Sequence, residues 1–283
     1  MEYLQKYLIM IKKFLIKILW FFGRHTRIHL INRALTELNY NNILNSKKYS
    51  DDKNLINFGF KVYSQADEDG IIEEIFNRIG VSNKKFIEFG VQDGTECNTT
   101  YLLKSGWSGI WVDMSTNENK LKLEFKNYLN EKLKFIKKKL TKNNVNEILN
   151  NNISNDEEID LLSIDIGVNN YHILSEININ PRVIVTEYNA KLRDKIEWIA
   201  DYNEDKIWSG DDYFGASINS YKIMLEKKGY LLVGCNITGV NAFFVKKDLI
   251  DTKFINNYSS SFHYEPLRIW LLKKFENEQK IKI

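Results

Sequence analysis

Glu88-Phe89-Gly90-Val91-Gln92-Asp93-Gly94 sets two carboxylates and two glycines directly after a short apolar run. Gly90 and Gly94 let a backbone approach a ligand more closely than residues with a Cβ can. Roughly 20 residues on, Ile110-Trp111-Val112-Asp113 ends a second apolar run in an acid, at a place where acids commonly grip a ribose hydroxyl.

A dinucleotide site would call for GxGxxG, so that a pyrophosphate rests on a helix N-terminus. Here the spacing is GxxxG, and Glu88 and Asp93 would repel a pyrophosphate. The same carboxylates suit S-adenosylmethionine, whose ammonium and sulfonium are cationic and which carries no phosphate. A tight structural turn in some other α/β protein is the plainer alternative.

Elements of alternating type must position these residues. The spacing predicts a helix over 64–80, with Ser64 and Asp67 as a capping-box pair and Gly80 as its stop. Strands are expected over 86–89, 110–112, 134–136, 159–164 and 183–186, and helices over 98–104, 117–132, 171–177 and 215–228. A terminal hairpin pairs 230–234 with 242–245 across a turn at 236–239. Strands alternating with helices imply an α/β fold, a Rossmann-like doubly wound sheet of seven strands. The organisation expected is an N-terminal amphipathic extension over 1–57, a catalytic domain over 58–250 and a helical tail over 251–283.

Six ordered stretches resemble the FkbM-type class I methyltransferases, most closely a branch met in surface-polysaccharide gene clusters. They are Ser64-Gln65-Ala66-Asp67-Glu68-Asp69-Gly70, residues 86–94, Gly106-Trp107-Ser108-Gly109-Ile110-Trp111-Val112-Asp113, residues 161–165, Val185-Thr186-Glu187-Tyr188-Asn189 and Asp212-Tyr213-Phe214-Gly215-Ala216-Ser217. The resemblance covers roughly residues 58–250. It implies S-adenosylmethionine as donor and O-methylation of a sugar or related hydroxyl on a surface glycan or its precursor. On its pattern Glu88, Gly90, Asp93 and Gly94 fall on the donor loop, Asp113 is the ribose acid, and Gln65 and Asn98 are further polar contacts. The chain departs from the pattern at Gly167 and Asn170, where further carboxylates are expected.

A sugar hydroxyl is weakly acidic, so a base in reach of it should speed transfer by about 10²–10⁴-fold. Asp165, His172 and Glu187, at or just beyond the ends of the fourth and fifth strands, are the candidates. His172 reads equally well as a helix residue that packs. Asp165, Glu187 and Asn189 could together hold a divalent cation through oxygen ligands. Trp198, Tyr202, Trp208, Tyr213 and Phe214 supply aromatic faces for sugar or core. A non-catalytic relative serving in binding or assembly is the competing reading, supported by the altered residues after Asp165. An NAD-dependent sugar oxidoreductase is a further alternative, opposed by the acidic loop.

The 40 basic and 37 acidic residues nearly balance, which gives no basis for nucleic-acid binding. Cys97 and Cys235 are the only cysteines, too few for a disulfide framework, and a reducing cytoplasm is the simplest compartment. Charge is uneven at the N-terminus. On a helix over 3–22, Lys6, Lys13, Lys17 and Arg24 share one side, while Leu4, Leu8, Ile11, Leu15, Ile18 and Phe22 line the other. Lysines interrupt the run too often for a bilayer span. The pattern fits a helix lying in an anionic membrane interface through residues 1–24, or one docked on its own domain or on a partner, an oligomer included.

Overall fold

The computed structural model describes residues 2–25, 28–114, 118–154 and 157–275. The chain divides into two compact units, Met1–Ser46 and Lys47–Ile283. The first consists of α1 (Glu2–His25) and α2 (Ile28–Leu44). The second begins earlier than the boundary expected near residue 58, because Tyr49, Leu55 and Ile56 are buried and Leu55 packs in the core under Gly234. It also continues past 250: Phe254, Leu271 and Phe275 are buried, while the final part of the expected tail, residues 276–283, lies outside the described residues.

In the second unit α3 (Glu68–Ile79) leads into β1 (Lys85–Phe89), and α4 (Thr100–Lys104) into β2 (Ser108–Asp113). Then come α5 (Glu118–Phe125), β3 (Leu133–Lys137), α6 (Val145–Asn150), β4 (Leu161–Ile164), α7 (Asn170–Glu176) and β5 (Val183–Glu187). The unit closes with α8 (Ile218–Lys227), β6 (Tyr230–Cys235), β7 (Asn241–Lys246), α9 (Ser260–His263) and α10 (Ile269–Phe275). The seven strands form one sheet in the order β3-β2-β1-β4-β5-β7-β6. β7 runs antiparallel to both of its neighbours, and the other pairs are parallel. This is the doubly wound, Rossmann-like sheet of the methyltransferase fold.

Side chains alternate across the two buried faces, as a sheet covered on both sides requires. Ile87, Phe89, Leu162 and Ile164 join the core that includes Ile148, Ile173 and Leu225. Phe86, Leu161, Val183 and Phe243 join the opposite core, with Ile72, Leu103 and Phe125. Glu88 shares the second face with its register partner Ser163, so a polar pair stands beside the apolar side chains of that face.

Two local expectations are corrected. The reciprocal cap before α3 joins Ser64 to Asp69 rather than to Asp67: Asp69 N donates to Ser64 Oγ at 3.2 Å, and Ser64 N to Asp69 Oδ2 at 3.0 Å. The helix expected over 117–132 ends at Phe125, where the chain turns through Asn130 at φ 65° to enter β3; residue 117 lies outside the described residues.

Candidate active site

A two-lobed cleft opens beyond the carboxyl ends of β1, β2, β4 and β5. In open α/β sheets ligands bind at this edge, where the winding direction reverses on either side of β1. The larger lobe holds about 450 Å³ and has both apolar walls (Val112, Met114, Leu140, Ile166) and polar ones (Asp113, Asp165, Glu187). The smaller lobe holds about 170 Å³, with Glu88, Asp93, Asn98 and Asn241 among its lining residues. Gln65, Gly90, Gln92 and Asp165 border both.

Glu88 holds the loop between β1 and α4. Its Oε1 accepts from Asn98 N at 2.9 Å and Ser163 Oγ at 3.3 Å, and its Oε2 from Thr99 N at 3.0 Å and Thr99 Oγ1 at 2.5 Å. Trp111 Nε1 donates to the same Thr99 hydroxyl at 2.8 Å, and Asn98 Nδ2 to Ser163 Oγ at 3.0 Å. Burial pushes the Glu88 carboxyl up to about 7, against the bonds from Thr99 and Asn98 that favour its ionised form. The amides just before α4 are thus taken by a protein carboxylate.

Gly90 and Gly94 are required by the protein itself. A Cβ on Gly90 would lie 1.7 Å from the Asp165 carbonyl oxygen, and one on Gly94 would lie 2.6 Å from the Trp111 ring. Both have positive φ, 87° and 78°. Gly90 still borders the cleft, whereas Gly94 packs against the aromatic rings of Trp111 and Phe125.

Asp93 does not offer a bare carboxylate to a ligand. It forms an ion pair with Lys120 and accepts from Thr95 N at 3.0 Å. Its partial burial raises the carboxyl, but the Lys120 and Thr95 bonds outweigh that and hold it down to about 2. Asp113 ends β2, is buried, and accepts from Gln92 N at 2.9 Å, which ties the two strand-end loops together.

Asp165 and Glu187 face each other across the ends of β4 and β5 and share a hydrogen bond. Asp165 is exposed where it lines the cleft, and Glu187 is half-buried. Both carboxyls are raised, in each case chiefly by desolvation. Asp165's negative charge then adds to the rise on Glu187, while its hydrogen bond to Glu187 lowers Asp165. The two carboxyls therefore hold one proton between them, shared across that hydrogen bond.

Asn170, where the resembled pattern has an acid, staples this pair's strands together. Its Nδ2 donates to Ile164 O at 3.2 Å and lies 3.5 Å from Glu187 O, and its Oδ1 accepts from Ile166 N at 2.9 Å. A carboxylate could not donate to those carbonyls.

Two further sequence candidates stand apart from the cleft, as Gly94 does. His172 Nε2 donates to Ala200 O at 2.7 Å, and its ring meets those of Tyr171 and Tyr202. It fixes the long loop after β5 and lines neither lobe, so it is withdrawn as a base. Asn189 Nδ2 donates to Asp212 O at 2.8 Å and Phe214 O at 3.3 Å, and its Oδ1 accepts from Lys191 N. Those bonds take it out of the suggested cation set. Among the described residues no group of three or more His, Cys, Asp or Glu is arranged to hold a metal.

No protein-family model and no curated protein matches this sequence. Solved structures do resemble the chain. An O-methyltransferase family protein from Burkholderia thailandensis is 9% identical with TM-score 0.39, over 64% of this chain and 58% of that one. The chain thus spans little more than half of that protein. Magnesium protoporphyrin IX methyltransferase from Synechocystis, solved with bound SAM, is 10% identical with TM-score 0.42, over 71% of this chain and 88% of that one. An S-adenosylmethionine-dependent methyltransferase from Clostridium acetobutylicum is 11% identical with TM-score 0.37, over 62% and 89%. These are likenesses of general form; the strand order itself carries the fold.

The cleft thus brings together Gln65, Glu88, Gly90, Asp93, Asn98, Asp113, Asp165 and Glu187, and leaves out Gly94, His172 and Asn189. Sequence reading missed Lys120, Ser163, Thr99 and Asn241. Ser163 was legible, since a polar residue inside an apolar β-run asks for a partner on its face. Asn241 was not, because its place opposite Glu187 depends on the β5–β7 register.

Proposed function

We propose that the chain is an S-adenosylmethionine-dependent methyltransferase, O-methylating a sugar hydroxyl or related group of a surface glycan or its precursor. The observation that carries the donor assignment is Glu88 on the amides of Asn98 and Thr99. With those donors satisfied, the loop has no cradle for a pyrophosphate, which speaks against a dinucleotide and for a donor without phosphate.

The residues present fit such a donor. The small lobe is polar and acidic and includes Asn241, whose buried Oδ1 has no hydrogen-bond partner, a setting suited to an ammonium group. The large lobe is half apolar, with Asp113 at its edge to accept from ribose hydroxyls, and suits a nucleoside. When bound, the donor supplies an electrophilic methyl on a sulfonium.

The chain's own task is to place an acceptor oxygen in line with that methyl and to relieve it of its proton. Asp165, at the rim shared by the two lobes, takes the proton, and Glu187 holds Asp165 in place by donating to it. Trp208 borders the same lobe about half exposed, its indole N–H spent on Asp211 O at 2.7 Å, which leaves a ring face for a sugar. The two free cysteines are buried, in keeping with a reducing compartment on the cytoplasmic side. Thermal melting with S-adenosylhomocysteine and with NAD tests the reading: stabilisation by the first alone supports it, and stabilisation by NAD alone overturns it.

A further inference from the structure

The first unit carries exposed apolar side chains on both of its helices. On α1, Tyr7, Met10, Phe14, Leu15 and Leu19 are each at least 52% exposed. At helical spacing they and Ile11 span an arc of about 180°. Lys12 and Lys17 stand at the two edges of that arc and Lys13 behind it, all three exposed. The side chains of Leu4, Gln5, Lys6, Leu8, Phe22 and Arg24 lie outside the described ones. α2 adds a stripe that the sequence reading did not single out: Ile28, Ile31, Leu35 and Leu38 recur at intervals of three and four and are each at least 51% exposed.

Among the described residues no helix is long and apolar enough to cross a membrane. A second copy of the chain is the other natural cover for such a stripe, since its spacing is that of a coiled-coil seam. Charge decides against it. Residues 1–46 hold seven Lys and Arg against two Glu, so two copies repel each other, whereas an anionic surface is attracted. Lysines flanking a broad apolar arc can bury their stems and keep their ammonium groups at headgroup level.

We propose that α1 and α2 together dock the protein on an anionic lipid bilayer, both helices lying in the interface and neither spanning it. The inference is independent of the methyltransferase reading. It is tested on the full chain by flotation with vesicles of phosphatidylcholine, alone or mixed with phosphatidylglycerol. The protein should float with the mixed vesicles only, and high salt should reverse this only in part, because apolar burial is not screened. Replacing Lys12, Lys13 and Lys17 by Gln should lower partitioning on the order of 100-fold, and replacing them by Arg should leave it nearly unchanged. Leu15→Glu and Leu35→Glu should each weaken binding at least about 10-fold, the second showing that α2 takes part. Equal flotation with neutral vesicles, or none with either kind, overturns the proposal. So does a dimeric mass by light scattering that Leu35→Glu reduces to a monomer, since the face then belongs to a second copy.

Discussion

Gly90 passes so close to Asp165 that a Cβ on it would stand 1.7 Å from the Asp165 carbonyl oxygen. The loop after β1 and the backbone at the end of β4 are therefore packed against each other with no room for a side chain between them. Gly90→Ala adds a side chain at φ 87° against immovable backbone and should cost at least ~3 kcal/mol of stability, read from urea unfolding. An unchanged midpoint would mean that the two strand ends do not touch.

Asp165 and Glu187 should respond differently to amide substitution. Asp165→Asn removes the proposed base and should slow methyl transfer by about 10²–10⁴-fold with donor affinity nearly intact. Glu187→Gln still donates to Asp165, as the protonated Glu187 does, and should retain far more activity. The rate should rise with pH as the pair ionises, at a pH above the ordinary carboxylate range because desolvation in the cleft raises both carboxyls. Equal losses in the two variants would remove the shared-proton arrangement.

Asn170→Asp restores the acid of the resembled pattern and should destabilise this chain. It replaces the amide that donates to Ile164 O with a group that, ionised, cannot, at a cost of about 2–4 kcal/mol. A neutral effect in calorimetric melting would show that the staple between β4 and β5 is dispensable.

Stability should fall as pH rises from about 6.5 to 8.5. Burial raises Asp67 to about 8, with the Glu68 charge adding to it, and Glu88 to about 7. The folded chain therefore keeps protons that the unfolded chain has already lost, and this advantage disappears as each group ionises. The opposing groups act elsewhere: His263, lowered by burial to about 4, titrates below that window, and Asp93 lower still. Urea unfolding at the two pH values should differ on the order of 2 kcal/mol, and Asp67→Asn should shrink the difference. A stability that climbs across this range would contradict the raised carboxyls of Asp67 and Glu88.

The strand–helix alternation was legible because most strands are apolar runs bounded by turns, and Glu88, Asp113 and Asp165 were legible as acids at strand ends. Partnership was not. Glu88 and Asp93 look alike in the sequence, yet one binds backbone amides and the other a lysine on α5. His172 looked like a base because it follows β4 closely, but α7 turns it toward the carbonyl of Ala200. The start of the second unit was misplaced because Tyr49 and Leu55 sit among charged residues, and only packing shows that they are core.

The proposed site holds S-adenosylmethionine in the cleft with Asp113 on its ribose. Calorimetric titration of S-adenosylhomocysteine into the wild type and into Asp113→Ala tests it most directly. One saturable site per chain is expected, weakened by about 1–3 kcal/mol in the variant through loss of charge-assisted hydrogen bonds. No saturable binding to the folded wild type, or equal affinity in a folded Asp113→Ala, would contradict it.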